Sequence, residues 1–392
     1  MTWPLRIFYT APSTPNSRAL QNSRLWYYNL YLPLVDSGHD VLPLEYDLTP
    51  HFQHADPSRL QNRAFIEKNR SRLEEALLAQ IRAAHRLKPV DVFFSYFYSS
   101  FVRPEVIREI RSLGILTVNW YCNASYQFHL VEEIAPAYDY CLVPEKFRME
   151  DYRRVGANPI YCQEAANPNI YKPHHLPRDY DVTFVGQKYG DRPAYIRYLL
   201  DNGIDVRVWG PGWQTSLLPL PQKLAGKMRR RRSLDDWREA ARLLFKCLVL
   251  RSAGQVGPTI RLPSEICGGT LNDDELIKMY SRSKISLGFS TVGSTGLSNM
   301  PIKQVRLRDF EAPMSGAFYM VEYMEELEEF FVIGKEIVCY RDKADLADKI
   351  KYYLTHEEER EIIRRAGYQR AVNDHSWHKR FETAFRKMGL DL

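Results

Sequence analysis

The chain alternates short apolar runs with amphipathic stretches along most of its length, and it does so twice. Ile7–Thr10, Val41–Glu45, Val90–Tyr96, Ile115–Trp120, Tyr140–Val143 and Ile160–Gln163 read as strands. Ser23–Ser37, Glu67–His85, Pro104–Leu113 and Glu145–Val155 lie between them with helical spacing. Strands separated by helices cannot pair as hairpins. They need crossovers, and crossovers build a parallel sheet covered on both faces. The polar, proline-bearing stretch Asn167–Pro173 breaks the pattern and reads as a linker. The alternation then restarts. Tyr180–Val185, Asp205–Trp209, Ile285–Phe289, Ala317–Val321 and Glu336–Tyr340 are the strands of a second set. Its helices are Pro193–Asn202, Asp273–Ser283, Asp345–Leu354 and Glu357–Val372, followed by Trp377–Met388. Asn272 is placed to cap the second of these. The expected fold is α/β, with two Rossmann-like domains facing each other across a cleft. The expected division is 1–170 and 171–374, with residues 375–392 as a closing helix.

Length agrees with two domains, since 392 residues exceed one ordinary domain. No run approaches the roughly 20 apolar residues of a membrane span. The apolar run at the start, MTWPLRIFYTAP, is better explained by a strand than by a signal peptide. The six cysteines are scattered without CxxC pairs. That spacing speaks against a zinc site or a disulfide framework and fits a reducing cytoplasm. Charge is unevenly placed. Residues 223–251 hold ten basic and three acidic residues, more net charge than the +6 of the whole chain. They lie within an expected insertion at about 213–262, and Arg229–Arg232 adjoin the apolar run Leu243–Leu250. A basic amphipathic segment of this kind suits an anionic membrane surface, a lipid-linked acceptor or a polyanionic glycan. A solvated flap is the plainer reading, because charge runs usually face water. Nucleic acid is disfavoured, since no base-reading motif accompanies the basic run.

The densest chemistry lies in Gln304–Gly316. Arg306, Arg308 and Glu311 occur there within six residues, just before the apolar strand Ala317–Val321. The stretch reads as a helix start, where free N–H groups and the dipole favour a phosphate. Arg306 and Arg308 add forked donors suited to a diphosphate. Glu311 lies one turn beyond Arg308, so both can face one cleft. A carboxylate there would accept hydrogen bonds from the two hydroxyls of a ribose. The loop Gly186–Arg192, with Lys188 and Arg192, would approach phosphates, and so would Gly210, Ser294 and Thr295 in the loops that follow other strands. Together these parts describe a site for a nucleotide diphosphate. The plain alternative is an exposed helix with an Arg–Glu pair.

These residues resemble a known family. Gln304–Gly316, the following strand, the acidic stretch Glu325–Phe330 and the closing His375-Ser376-Trp377-His378-Lys379-Arg380-Phe381 are similar to the CgeB-like glycosyltransferases of GT-B fold. Phe184-Val185-Gly186 with Arg192 fits the start of their donor domain. The resemblance covers roughly residues 180–390; the first half matches in architecture alone. It implies that Glu311 holds the donor ribose, that Arg306 and Arg308 face the diphosphate, and that Gly186 lets the backbone pass close to the donor. It also implies that the last helix crosses back to brace the first domain. No cofactor or bound metal is expected, because basic side chains would neutralise the leaving diphosphate.

The implied activity is that of a hexosyltransferase-type enzyme of polysaccharide biosynthesis. A sugar would pass from a nucleotide-diphosphate sugar to a hydroxyl of a glycan, lipid-linked or small-molecule acceptor. From the cysteine spacing and the basic segment, the expected location is cytoplasmic, with peripheral contact at the inner membrane face through 223–251. Two positions depart from the pattern. Lys303 stands where many retaining relatives carry a second glutamate, and Asn123 stands where an acidic residue often follows the strand ending at Trp120. The catalytic base is therefore open, with His129, Glu132 and Asp47 as candidates. Two rival readings share the fold: a nucleotide-sugar epimerase, and a non-catalytic nucleotide-sugar binder.

Overall fold

The computed structural model describes residues 4–11, 23–214, 260–292 and 302–390. Two fully parallel sheets organise the chain. The first holds β1 (Arg6–Tyr9), β2 (Asp40–Pro43), β3 (Val92–Ser95), β4 (Leu116–Trp120), β5 (Tyr140–Val143) and β6 (Pro159–Tyr161), in the order β2-β1-β3-β4-β5-β6. The second holds β7 (Tyr180–Val185), β8 (Val206–Trp209), β9 (Ser283–Gly288), β10 (Tyr319–Glu322) and β11 (Val338–Tyr340), in the order β11-β10-β9-β7-β8. Ile7 pairs with Val41 on one side and Val92 on the other; Val182 pairs likewise with Val206 and Ile285. These inner strands are buried on both faces, which is why they read as unbroken apolar runs.

Each sheet starts in its interior and grows outward in both directions. The order reverses between β1 and β3, and again between β7 and β9. Loops leaving the carboxyl ends of such neighbours diverge to opposite faces and leave a crevice between them. In the second sheet that crevice lies between Gly186, after β7, and Phe289–Thr291, after β9.

The helices follow the sequence reading in the main, with local adjustments. The long helix begins earlier than expected, at Leu60, and runs to Leu87. The expected helix over 23–37 contains a π turn, Tyr27–Tyr31, ahead of Leu32–Asp36. Its Asn29 is fully buried and accepts from the Asn167 backbone N–H at 3.0 Å while donating to the Tyr171 hydroxyl at 3.2 Å. The stretch after β6 is thereby pinned to the first half. Asn272 caps the helix Asp273–Arg282 through a reciprocal bond with Glu275. The acidic stretch near 325 is a short 3-10 helix, Glu325–Glu329.

The closing helix, Trp377–Lys387, belongs to the first core although the second sheet precedes it in sequence. Trp377, Phe381 and Phe385 lie on one face at helical spacing and are almost fully buried. Trp377 meets Trp120 edge-on at 5.0 Å, and Phe381 meets Phe94 in the same manner. The chain therefore passes between the halves twice, and the two passages touch. Ala166 and Ser376 form a parallel bridge, with Ala166 N–H donating to His375 and Trp377 N–H donating to Ala166.

Candidate active site

Three guanidinium groups converge on the crevice of the second sheet. Arg192 opens the helix Arg192–Asp201 and is 4% exposed. It donates to the Gln187 carbonyl at 2.8 Å and the Tyr189 hydroxyl at 2.7 Å, with its guanidinium 3.8 Å from the Tyr189 ring centre. Arg306 donates to the same Tyr189 hydroxyl at 2.9 Å and to the Thr291 carbonyl at 3.4 Å. Arg308 lies over the Phe184 ring and 4.0 Å from Glu311. In each of the three, the Nε is buried and has no hydrogen-bond partner among the described residues. Leaving a charged donor buried and unsatisfied is costly. Three guanidinium groups in one place, with one weakly paired carboxylate beside them, make the crevice positively charged and suited to an anion.

The electrostatics agree. Burial, reinforced by Arg306 and Arg308 nearby, pulls the Arg192 pKa down to about 9, against the favourable influence of Tyr189. Burial would also lower that of Arg308, but Tyr280 and Glu311 outweigh it and hold it above the ordinary value. Glu311 accepts from the Tyr280 hydroxyl at 2.8 Å. Burial raises its carboxyl pKa, while Arg308 and that hydroxyl pull the other way.

Glycine is required at two points. A Cβ on Gly186 would stand 2.6 Å from the Phe184 ring and 3.0 Å from Arg308 Nη1. Gly210 has a φ of +123°, and a Cβ there would meet the Gly186 carbonyl oxygen at 2.5 Å. These two glycines let the loops after β7 and β8 pack backbone to backbone, with Gly186 N–H donating to Trp209 and Trp213 Nε1 donating to Gly186. Lys188 is held at the rim by its N–H bond to Pro211, with its ammonium 6.0 Å from the Trp213 ring.

The helix that carries the motif is shorter and more occupied than the sequence suggests. Arg308–Met314 spans seven residues. Asp309, unremarked in the sequence reading, is 1% exposed; it accepts from the Arg306 N–H at 2.8 Å and the Tyr319 hydroxyl at 2.6 Å. One expected phosphate-binding N–H is thus already used, so the arginine side chains rather than the helix end define the positive site. Lys303 is likewise engaged, 3.0 Å from Glu322 and donating to the Tyr323 carbonyl at 2.8 Å. Glu322 in turn accepts from the Thr291 N–H at 2.9 Å and hydroxyl at 2.8 Å, which fixes the loop after β9. Ser294, Thr295 and the basic stretch 223–251 lie outside the described residues.

The first half contributes the facing wall. Tyr126 lies within electrostatic reach of Arg306 and Tyr189, and Glu164 within reach of Arg306 and of the Leu307 N–H. Asn123 receives the Tyr126 hydroxyl at 3.0 Å and donates to Tyr96 at 3.4 Å. The three expected base candidates are not gathered here. His129 and Glu132 are exposed on the turns after β4. Asp47 is exposed and caps a turn by accepting from the Thr49 N–H at 2.9 Å. On the first-half side, the carboxylate that lies within reach of Arg306 is Glu164, with the buried Glu145 beside it, and sequence reasoning missed both. The available signal was their position, directly after the apolar strands of β5 and β6 at the ligand-binding end of the sheet.

Among the described residues, no cluster of three or more His, Cys, Asp or Glu side chains is arranged to hold a metal ion, and no helix is long and apolar enough to cross a membrane.

Comparison with known proteins places this geometry. A family described as glycosyl transferase-like matches residues 192–386. No curated protein matches the sequence. Among solved structures, sucrose-phosphate synthase from Thermosynechococcus elongatus aligns with a TM-score of 0.57 at 14% identity, covering 98% of this chain and 99% of its own. Anabaena HepE, in complex with UDP and glucose, aligns at 0.52 and 9% identity over 98% and 99% of the two chains. A glycosyltransferase from Rickettsia africae aligns at 0.52 and 10% identity over 98% of each. Residues 192–386 are similar to a glycosyl transferase-like family, and the chain as a whole has the GT-B fold.

Proposed function

We propose that this protein is a glycosyltransferase that moves a sugar from a nucleotide-diphosphate sugar to an acceptor hydroxyl. The observation that carries the reading is the convergence of three guanidinium groups, Arg192, Arg306 and Arg308, on one crevice beside the Glu311 carboxylate. A diphosphate presents oxygens to several forked arginine donors at once. Glu311 stands beside them to accept from ribose hydroxyls. Gly186, Gly210 and Lys188 bring the loop backbones and a further cation close to the donor, with Ser294 and Thr295 in the neighbouring loop. As the bond to the sugar breaks, charge grows on the leaving diphosphate, and fixed cations in a water-poor cleft stabilise it most at that moment. No metal is assigned a role.

In this reading residues 1–170 form the acceptor domain and 171–374 the donor domain, with 375–392 bracing the first. HepE, solved with UDP and glucose, supports uridine donors as the first to try. The acceptor class is a glycan, a lipid-linked or a small molecule, and the CgeB-like glycosyltransferases are the proposed subgroup. The basic stretch 223–251 is assigned to acceptor or membrane-surface contact at the cytoplasmic face.

The test is a thermal-shift and titration panel of UDP-, GDP-, dTDP-, ADP- and CMP-sugars, followed by product analysis. Saturable binding of one nucleotide class, lost in Arg306→Ala, and transfer of the sugar are expected. Binding without any release of nucleotide would favour a non-catalytic binder. Conversion of the donor to an isomeric nucleotide sugar would favour an epimerase. Absence of binding across the panel would overturn the assignment.

A further inference from the structure

Two carboxylates stand at the carboxyl ends of adjacent strands on the first-half side of the cleft. Glu145 follows β5 and is 4% exposed. One of its oxygens accepts from the Ser125 N–H at 3.2 Å; the other is buried without a hydrogen-bond partner among the described residues. The nearest arginine does not neutralise it. Arg148 is turned to Asp151 at 2.7 Å and to the Ser125 carbonyl at 2.7 Å. Glu164 follows β6 and is only partly covered. Its backbone N–H is fixed by the Gln163 side chain at 2.8 Å, and Gln163 is itself anchored to the Pro144 carbonyl at 3.0 Å. The Cys122 thiol, at the end of β4, lies beside the Glu164 carboxyl and 3.4 Å from the Tyr96 hydroxyl. From the second half, Arg306 and the Leu307 N–H face Glu164.

This arrangement is poor for stability and well suited to holding a proton. Burying a carboxylate with an unpaired oxygen beside a second carboxylate costs free energy. Burial first, and then Glu145, push the Glu164 carboxyl up to about 8, against the Leu307 N–H, Cys122 and Arg306. Burial likewise pushes Glu145 up to about 7, against the N–H groups of Ser125 and Ala124 and the charge of Arg148. Two interacting carboxyls of this kind titrate as a pair, and Glu164 becomes the ionised, proton-accepting member as pH rises toward about 8. A base with a pKa near the working pH is the most effective proton acceptor.

Resting on the glycosyltransferase reading, we propose that Glu164 is the catalytic base of the transfer and that Glu145 is its positioning partner. Glu164 takes the proton from the acceptor hydroxyl. The acceptor oxygen forms a bond to the anomeric carbon. The bond from that carbon to the diphosphate oxygen breaks, and its electron pair leaves with the diphosphate toward Arg192, Arg306 and Arg308. The proton remains on the carboxyl pair until the product departs. Attack from the face opposite the leaving group inverts the anomeric centre. Glu145 does not touch the acceptor; as a like-charged neighbour it raises the pKa of Glu164 and so keeps that carboxylate basic.

The experiment uses the full chain and the nucleotide sugar it binds most tightly in the panel above, UDP-glucose first, with water as the acceptor. Three quantities are read: donor affinity, hydrolysis rate across pH, and the anomer of the released sugar by NMR before mutarotation. Glu164→Gln should keep donor affinity while the rate falls by about 10²–10⁴-fold, the usual worth of a general base. Glu164→Asp should recover part of that loss. Glu145→Gln should move the acid limb of the rate profile to lower pH, because Glu164 loses its like-charged neighbour. A Glu164→Gln rate within about tenfold of the parent, where base loss predicts at least about 10²-fold, or a sugar released with retained configuration, would overturn the proposal. An unmoved acid limb in Glu145→Gln would remove Glu145 from it. Failure of the parent protein to bind or hydrolyse any donor would instead fall on the glycosyltransferase reading and take this proposal with it.

Discussion

The guanidinium of Arg308 occupies the space in which a side chain on Gly186 would begin, with Nη1 3.0 Å from the position of the absent Cβ. The glycine after β7 and the arginine of the Gln304–Gly316 motif are therefore one device, although they are distant in sequence. Gly186→Ala would press on Phe184 and push Arg308 away from Glu311. Overpacking of this kind costs about 1–3 kcal/mol. We expect a lowered melting temperature and weaker nucleotide-sugar binding together, measured by thermal melts and titration calorimetry. A variant with parental affinity would show that Arg308 does not need its present place.

Arg306 offers a clean probe of the anion site, because its side-chain hydrogen bonds go to a neutral hydroxyl and a carbonyl. Arg306→Ala should cost donor binding about 1.5–3 kcal/mol, the range for hydrogen bonds to charged groups. That corresponds to roughly 10- to 150-fold in affinity. The fold should survive, as judged by circular dichroism. The nucleoside without phosphates should bind both proteins equally.

Glu311 is assigned to the ribose, and that assignment predicts a selectivity rather than a simple loss. The parent protein should prefer a nucleotide over its 2′-deoxy counterpart. Glu311→Gln, which keeps the shape but loses the charge, should narrow the preference by a few-fold or more. Equal discrimination in parent and variant, measured by competition titration, would assign the carboxylate to Arg308 and Tyr280 alone.

His375 predicts a pH dependence of stability. Burial lowers its pKa from 6.5 to about 4, although its Nε2–H donates to the Phe330 carbonyl at 2.7 Å. The unfolded chain therefore binds a proton at His375 between pH 6.5 and 4 that the folded chain does not. Stability from this group is full above pH 6.5 and is lost as pH falls through that window, by up to a few kcal/mol. In urea melts between pH 7 and pH 5, lowering the pH should cost the parent more stability, or gain it less, than it does His375→Gln. Raised carboxyls such as Glu145 and Glu164 act in the opposite sense, so the difference between the two proteins is the quantity to read.

Much of this architecture is written in local pattern. Tyr140–Val143 and Tyr180–Val185 are strands with the bounds that their apolar runs suggest, and Asn272 caps as its residue type predicts. Local pattern fails where the deciding contact is remote. Nothing near Leu60 announces a helix start, because Arg59 makes no side-chain cap. The π turn at Tyr27–Tyr31 accompanies Asn29, whose partners Asn167 and Tyr171 come from the linker. The motif arginines were legible because their density is unusual. Glu145 and Glu164 were not, because a single glutamate after a strand is ordinary until the neighbouring strand end and Arg306 are seen beside it. Asp309 was hidden for the same reason: its two partners become apparent only once the helix has turned it inward.

The bridge between Ala166 and Ser376 has a consequence for how the protein is made. The first core contains Trp377, Phe381 and Phe385, which follow every strand of the second sheet in the chain. While the second half is being translated, Trp120 and Phe94 have no such partners, and an apolar seam on the nascent first half stays open. That half can collapse early but cannot finish. Completion waits for Trp377–Lys387 to return, so a polypeptide lacking that helix would be left with an unsealed first half however well its second half had folded.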